Sequence, residues 1–394
     1  MINKNISLLI IFILSLLFFC FMSLASIIFL EKNNEHLGIK GIVNKQFHDK
    51  EIIYSSSINL DYKNYILEKF KLIKPDILII GSSRAQYYPQ YIFQKKLLIA
   101  QQPFYSFDMF HSSLSELVKI HKPKLVIMGV DWWLFNKIYN EKQAKIFDKT
   151  LKSSRNSKNR DDKKFYNYSL NEVIKPYYWI IQNKITLNFF IKTIFSEPFN
   201  NIGVMANVHK SGYDINGYFV DNYSLSGNKK FDIKFEDTIR QIKNNKKDFS
   251  TFQFDFNSLE IYKKINELAL INDIKIISIM HPLSPKVYEQ LYKNNYLKNL
   301  NQVSENLKFD ENFFNFSFKD YFNNCQFVDG THSGEVLNYL NLKKISEKKA
   351  YLLSFLSPKI KIDDIANNIN RVTFKNFSKL AENEIDFLGI GCKK

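Results

Sequence analysis

Two short apolar runs, Asp76 to Gly81 (DILIIG) and Lys124 to Gly129 (KLVIMG), limit the folds open to this chain more than any other feature. Each is strand-length, and neither alternates apolar with polar residues, so each predicts a strand buried on both faces. A third strand is expected over Ile274 to Met280 and a further one over Phe104 to Asp108. Helical spacing falls between and after them. Leu114, Leu117 and Ile120 recur within Ser112 to Lys122, and Ile261, Ile265, Leu268 and Leu270 within Ser258 to Asn272, while Gly334 to Phe355 reads as a long closing helix. Strand–helix alternation of this kind implies an α/β fold with a parallel sheet covered on both faces.

Ahead of that pattern, Ile6 to Leu30 is a run of 25 residues without a charge. As a helix it would be about 37 Å long, enough to cross a hydrocarbon core of about 30 Å. A cleaved signal peptide is the competing reading, because Ser23-Leu24-Ala25 has the small-residue form of a cleavage site. The apolar run continues five residues past Ala25, which favours an uncleaved anchor. Lys4 precedes the run, and Lys32, Lys40, Lys45 and Lys50 follow it. A basic-residue count alone would keep the C-terminal side inside the cell, but a long domain behind one span is translocated largely regardless of charge.

The expected organisation is a flank over 1–5, the anchor over 6–30, and a stalk with a leading helix over 31–70. The main α/β domain follows over 71–356, with an insertion or cap over about 137–250, and then a tail over 357–394. The insertion is rich in Asn, Lys and Tyr and includes a charged stretch, Lys152 to Lys164.

Composition excludes several functions. The net charge of +16 suits an anionic partner. The basic residues are interspersed along the chain, however, and no nucleic-acid-binding motif is present, so nucleic acid is not the expected partner. The three cysteines, Cys20, Cys325 and Cys392, have neither disulfide-framework nor zinc-ligand spacing. No phosphate-binding loop, dinucleotide-binding glycine pattern or paired-histidine spacing occurs, so neither a metal nor a cofactor is implied.

Two segments carry chemistry. In Gly81-Ser82-Ser83-Arg84 the first strand ends and a helical stretch begins, placing the serines on the carboxyl edge of a parallel sheet, where open α/β folds bind ligands. A serine there can act as a nucleophile beside free N–H groups, or simply cap the helix. In Asp329-Gly330-Thr331-His332 a carboxylate and an imidazole stand three residues apart on a glycine-containing turn. The carboxylate can hold one ring nitrogen while the other takes a proton from a serine; a polar turn can equally contain both residues for no catalytic reason.

Taken together and in this order, the two segments resemble the blocks of the SGNH/GDSL hydrolase superfamily. The likeness covers about 76–136 and 255–345. It is nearest to the membrane-anchored branch that serves teichoic-acid D-alanylation and exopolysaccharide O-acetylation. The resemblance implies a flavodoxin-like three-layer sandwich with Ser83 as nucleophile, His332 as base and Asp329 as its orienting acid. Ser82 stands where that family usually has Asp. The glycine of the family's second block falls near His111, whose backbone N–H would serve the oxyanion together with that of Ser83. The asparagine of the third block is replaced by Asp131, which must then be protonated, turned away or otherwise employed. Asn136, five residues on, is the expected substitute donor. Arg84 can bind an anionic substrate or pair with a carboxylate. Trp132 and Trp133 can stack on a sugar or pack beneath the insertion, and His281 can line the pocket or merely sit in a turn.

The resemblance also implies a bacterial cytoplasmic-membrane protein whose catalytic domain faces outward. Its activity would be that of a serine acyltransferase or esterase on a cell-envelope glycan, with a membrane-bound O-acyltransferase as possible partner. A glycan or lipid O-deacetylase is the alternative, and an inactive scaffold for such an acyltransferase is the non-enzymatic one.

Overall fold

The computed structural model describes residues 4–55, 62–101, 106–145, 168–220, 231–246, 248–317 and 327–358. The charged stretch Lys152 to Lys164, Cys325 and the tail from 359 onward lie outside them. The main elements in chain order are α1 (Lys4–Lys32), α2 (Ile39–Asp49), α3 (Tyr62–Ile73), β1 (Ile77–Gly81), β2 (Leu97–Gln101), α4 (Phe107–Ile120) and β3 (Leu125–Gly129). Then come α5 (Leu170–Ile181), α6 (Leu187–Ile194), α7 (Val204–His209), α8 (Phe231–Lys243), α9 (Phe256–Ile271) and β4 (Lys275–Met280). The series closes with α10 (Pro285–Lys293), α11 (Leu297–Asn306), β5 (Phe313–Asn315) and α12 (Glu335–Lys348). These elements form two compact units, one from residues 1–61 and 157–215, the other from 62–156 and 216–394.

In the first unit, α1 changes character along its length. Every described side chain from Ile6 to Phe21 is exposed, whereas Ala25, Phe29 and Leu30 are buried in a core with Trp179, Ile185, Phe190 and Val204. Its last turns are therefore packed on α5 and α6. Polar groups secure that packing: Ser26 Oγ donates to the Val173 carbonyl, and Glu35 accepts from Val204 N and Ser55 Oγ. By length and composition α1 is able to cross a membrane.

The second unit is an α/β domain around a wholly parallel five-stranded sheet in the order β2-β1-β3-β4-β5, the doubly wound order of flavodoxin-like folds. All residues of β1, β2 and β3 are buried, as continuous apolar runs require of central parallel strands. The register aligns Ile80 of β1 with Met128 of β3, so the two strands end side by side at Gly81 and Gly129. These two ends leave little room for side chains. A Cβ on Gly81 would lie 3.2 Å from Gly129 Cα, and one on Gly129 would lie 3.2 Å from the His281 ring.

The structure moves one expected strand. The sequence predicts a strand over Phe104 to Asp108, but 102–105 lie outside the described residues and Phe107 opens α4. Phe107, Phe110, Leu114 and Leu117 form the buried stripe of that helix, so its aromatic start belongs to a helical face. The second strand is instead Leu97 to Gln101. The leading helix expected near residue 70 is α3, while part of the expected stalk is helical as α2.

Candidate active site

The strand order reverses at β1, and ligands of doubly wound sheets bind beyond the carboxyl ends of the strands at such a point. The two motifs meet there. After Gly81 the chain enters a single 3-10 turn, Ser83 to Ala85, and the two serines divide the roles that were open at the sequence level. Ser82 caps the turn, its Oγ accepting from Arg84 N at 3.2 Å. Ser83 is left with its hydroxyl toward His332, with Nε2 to Oγ at 2.9 Å.

The acid–base half is assembled locally. Phe327 and Ser333 bridge antiparallel, and Val328 N donates to the His332 carbonyl, closing a tight turn around Asp329 and His332. Asp329 Oδ1 accepts from Thr331 N at 2.9 Å and His332 N at 3.0 Å, which holds the carboxylate against the ring. His332 Nδ1 lies 2.8 Å from Asp329 Oδ1 and 2.7 Å from Oδ2. Burial pushes the Asp329 carboxyl up, but His332 and the two backbone N–H groups outweigh it and hold it well below the usual carboxylate range. An ionised Asp329 keeps the proton on Nδ1 and leaves Nε2 to accept from Ser83.

Arg84 ties the loops together. Its Nε donates to the Thr331 carbonyl at 3.1 Å, one terminal nitrogen to Asp131 Oδ1 at 2.8 Å, and the other to the carbonyls of His281 and Pro282. Four chain segments are thus joined by one guanidinium that is 1% exposed. Burial lowers its pKa and Asp131 opposes that effect; an arginine so paired remains charged. Asp131 is accordingly turned onto Arg84, where its charge is neutralised. Of the two readings for Arg84, pairing with a carboxylate is the one realised.

Beside Ser83 opens a cavity of about 280 Å³. Ser82, Ser83, Arg84, Thr331 and His332 form one side, and Trp132, Trp133, Tyr139 and Phe249 contribute aromatic surface. Thr238, Gln241 and Lys246, from α8 and the turn after it, add polar groups. Trp132 and Trp133 meet edge to face with centroids 4.6 Å apart, and the Arg84 guanidinium lies 5.4 Å from the Trp132 ring. The Trp132 indole nitrogen is buried and has no hydrogen-bond partner among the described residues.

Three expected residues take other places. His111 lies in the second turn of α4, where its N–H belongs to the helix and is unavailable to an oxyanion. Asn136 is fully buried; its amide donates to the Asp248 carbonyl, and its Oδ1 accepts from Ile138 N and Gln253 N. It therefore fastens the segment after β3 and is not the substitute donor. His281 follows β4 as expected but is buried behind Gly129, outside the residues lining the cavity. Burial, with Arg84 and His332 nearby, holds its pKa well below that of an ordinary histidine.

Sequence reasoning missed the support behind His332. Tyr87 stands edge-on to the His332 ring at 6.1 Å, and Ser333 Oγ reaches Asn338, whose amide donates to the Tyr87 carbonyl. Glu335, 2% exposed in the first turn of α12, accepts from the phenols of Tyr91 and Tyr218. Burial first and Glu335 second raise both phenols, so they stay protonated and donate. The available signal was Glu335 itself, an acid just inside a helix start. No family model, no curated protein and no solved structure matches the chain.

Proposed function

We propose that the protein is a membrane-anchored serine acyltransferase or esterase of SGNH type, acting on acyl groups of a cell-envelope glycan through an acyl-serine intermediate. The observation that carries this reading is the continuous chain Ser83 Oγ–His332–Asp329, with contacts of 2.9 and 2.7 Å, at the wall of a cavity. His332 Nε2 takes the Ser83 proton as Oγ attacks the acyl carbon, and returns it to the leaving oxygen as the acyl-serine forms. A sugar hydroxyl or water then attacks, deprotonated by the same nitrogen, and Ser83 is regenerated.

The developing oxyanion needs donors. Ser83 is the first residue of its turn, so its N–H has no partner within that turn, and the Trp132 indole N–H is the second donor in this reading. The aromatic surface and the polar groups of α8 suit a sugar ring, whose apolar face stacks while its hydroxyls hydrogen-bond. For the anchor, α1 runs unbroken through Ser23-Leu24-Ala25, and Ala25 belongs to a packed core, which favours retention over cleavage. An outward-facing catalytic domain suits an envelope glycan.

A fluorophosphonate probe tests the chemistry. It should label the wild-type chain and Ser82→Ala but neither Ser83→Ala nor His332→Ala. Labelling that survives Ser83→Ala would reject the assignment, and a folded wild type that never labels would favour the scaffold. Incubation with an O-acetylated glycan and an acceptor then separates transfer from deacetylation by the product formed.

A further inference from the structure

Two short helices of the first unit each leave an apolar stripe uncovered. On α5 it is Leu170, Ile174, Tyr178 and Ile181, whose spacing puts them on one face. On α6 it is Leu187 and Ile191, continued by Phe195 just past the helix end. Exposure runs from 47% at Ile191 to 85% at Phe195. Val173 and Trp179 of α5 and Phe190 of α6 are buried, and Trp179 and Phe190 share a core with the end of α1. Between Leu170 and Phe195 the chain carries Lys175, Lys184 and Lys192 against a single acid, Glu172.

The length of α1 supplies an independent argument. The stretch Ile6 to Phe21, whose described side chains are all exposed, is sixteen residues. That is about 24 Å of helix, short of a hydrocarbon core of about 30 Å. Making up the difference takes about four more residues, bringing the edge of the core to the level of Met22 to Ser26. At that level α5 is attached: Tyr177 donates to the Met22 carbonyl and Ser26 to the Val173 carbonyl.

We infer that α5 and α6 are seated in the interfacial layer of the bilayer that α1 crosses, their apolar stripes at the acyl boundary and their lysines among anionic headgroups. This rests on reading α1 as a membrane span. Helices of this kind sink by about 5–10 Å and bind through apolar burial plus attraction to anionic lipid. Tyr178, exposed on the α5 stripe, is of the residue type that favours this layer.

The test uses the full chain in nanodiscs of phosphatidylcholine and phosphatidylglycerol, with Cys20, Cys325 and Cys392 replaced by Ser. A nitroxide is placed in turn at Phe18, Ile181, Phe195 and Leu270, and its collisions with oxygen and with a water-soluble nickel complex are measured. Leu270, 80% exposed in the second unit, serves as the aqueous reference once its collision rates are shown to equal those of the free nitroxide in buffer. Labels at Ile181 and Phe195 should match Phe18, rich in oxygen collisions and losing most of the nickel collisions seen at Leu270. If they match Leu270 while Phe18 remains lipid-like, the span stands and the interfacial seat is refuted. A Phe18 label open to nickel overturns the span reading and the seat with it. Labels at Ile181 and Phe195 shielded from both reagents would place protein on the stripes, which also refutes the inference.

Discussion

Asp131→Asn is the substitution that most directly tests how this site is held together. In the SGNH resemblance an asparagine belongs at this position, so similarity alone would make the change harmless or mildly activating. The structure argues the opposite, because Asp131 neutralises a guanidinium that is 1% exposed. Removing one partner of a buried ion pair costs about 3–5 kcal/mol. Arg84 keeps its carbonyl partners at Thr331, His281 and Pro282, and Asn retains an acceptor oxygen, which places the loss near the lower bound, about 3 kcal/mol. At about 2–4 °C per kcal/mol for a folded unit of this size, Tm should fall by about 6–12 °C. Arg84 also holds the carbonyl of Thr331, next to His332, so the Ser83–His332 distance should loosen. A displacement near 1 Å would slow fluorophosphonate labelling by about tenfold to a hundredfold. Arg84→Lys should not preserve the rate, because one ammonium cannot reach four acceptors on three segments. Thermal unfolding and labelling kinetics measure the two effects on one sample. An Asp131→Asn protein with parental Tm and parental labelling rate would refute the clamp.

Three further outcomes follow from the same geometry. Below pH 6.5 the unfolded His281 binds a proton that the buried ring resists, so stability should fall with acidity by up to about 1.4 kcal/mol per pH unit and recover above 6.5; denaturant titrations of wild type and His281→Leu should differ in that slope. Trp132→Phe keeps an aromatic ring but removes the indole donor, so kcat of the folded protein should drop by about a hundredfold to a thousandfold, and an unchanged kcat would exclude Trp132 from oxyanion binding. Asn136→Ala should behave in the opposite way, lowering stability by about 1–3 kcal/mol through the unpaired Ile138 and Gln253 N–H groups while leaving the labelling rate of the folded fraction intact.

The contrast between Trp132 and Asn136 shows where reading the chain runs out. An asparagine five residues after Asp131 looks like a spare donor in sequence. A 3-10 turn, Trp132 to Phe135, intervenes and delivers Asn136 to the 248–253 segment. His111 was displaced similarly, because Phe107 rather than Ser112 opens the helix and draws its N–H into the backbone ladder. Both errors concern direction, and direction depends on where an element starts to within one residue.

What the sequence determined by itself was whatever is local or repetitive. Unbroken apolar runs specified buried parallel strands, because a strand covered on both faces buries successive side chains alike. The pairing of Asp329 with His332 was likewise contained in six or seven consecutive residues, since the turn's own N–H groups hold the carboxylate beside the ring. Tertiary structure alone decided the rest. Ser83 and His332 are 249 positions apart, and only the strand order and register bring a hydroxyl within 2.9 Å of a ring nitrogen. The partner of Asp131 and the roles of His111 and Asn136 depend on the same placement, and in the first unit the attachment of α5 to the end of α1 joins residues 147 and 155 positions apart. Hydrophobic periodicity records that a residue is buried; a hydrogen bond requires its partner within about 3 Å and in line, and that is a property of the assembled fold.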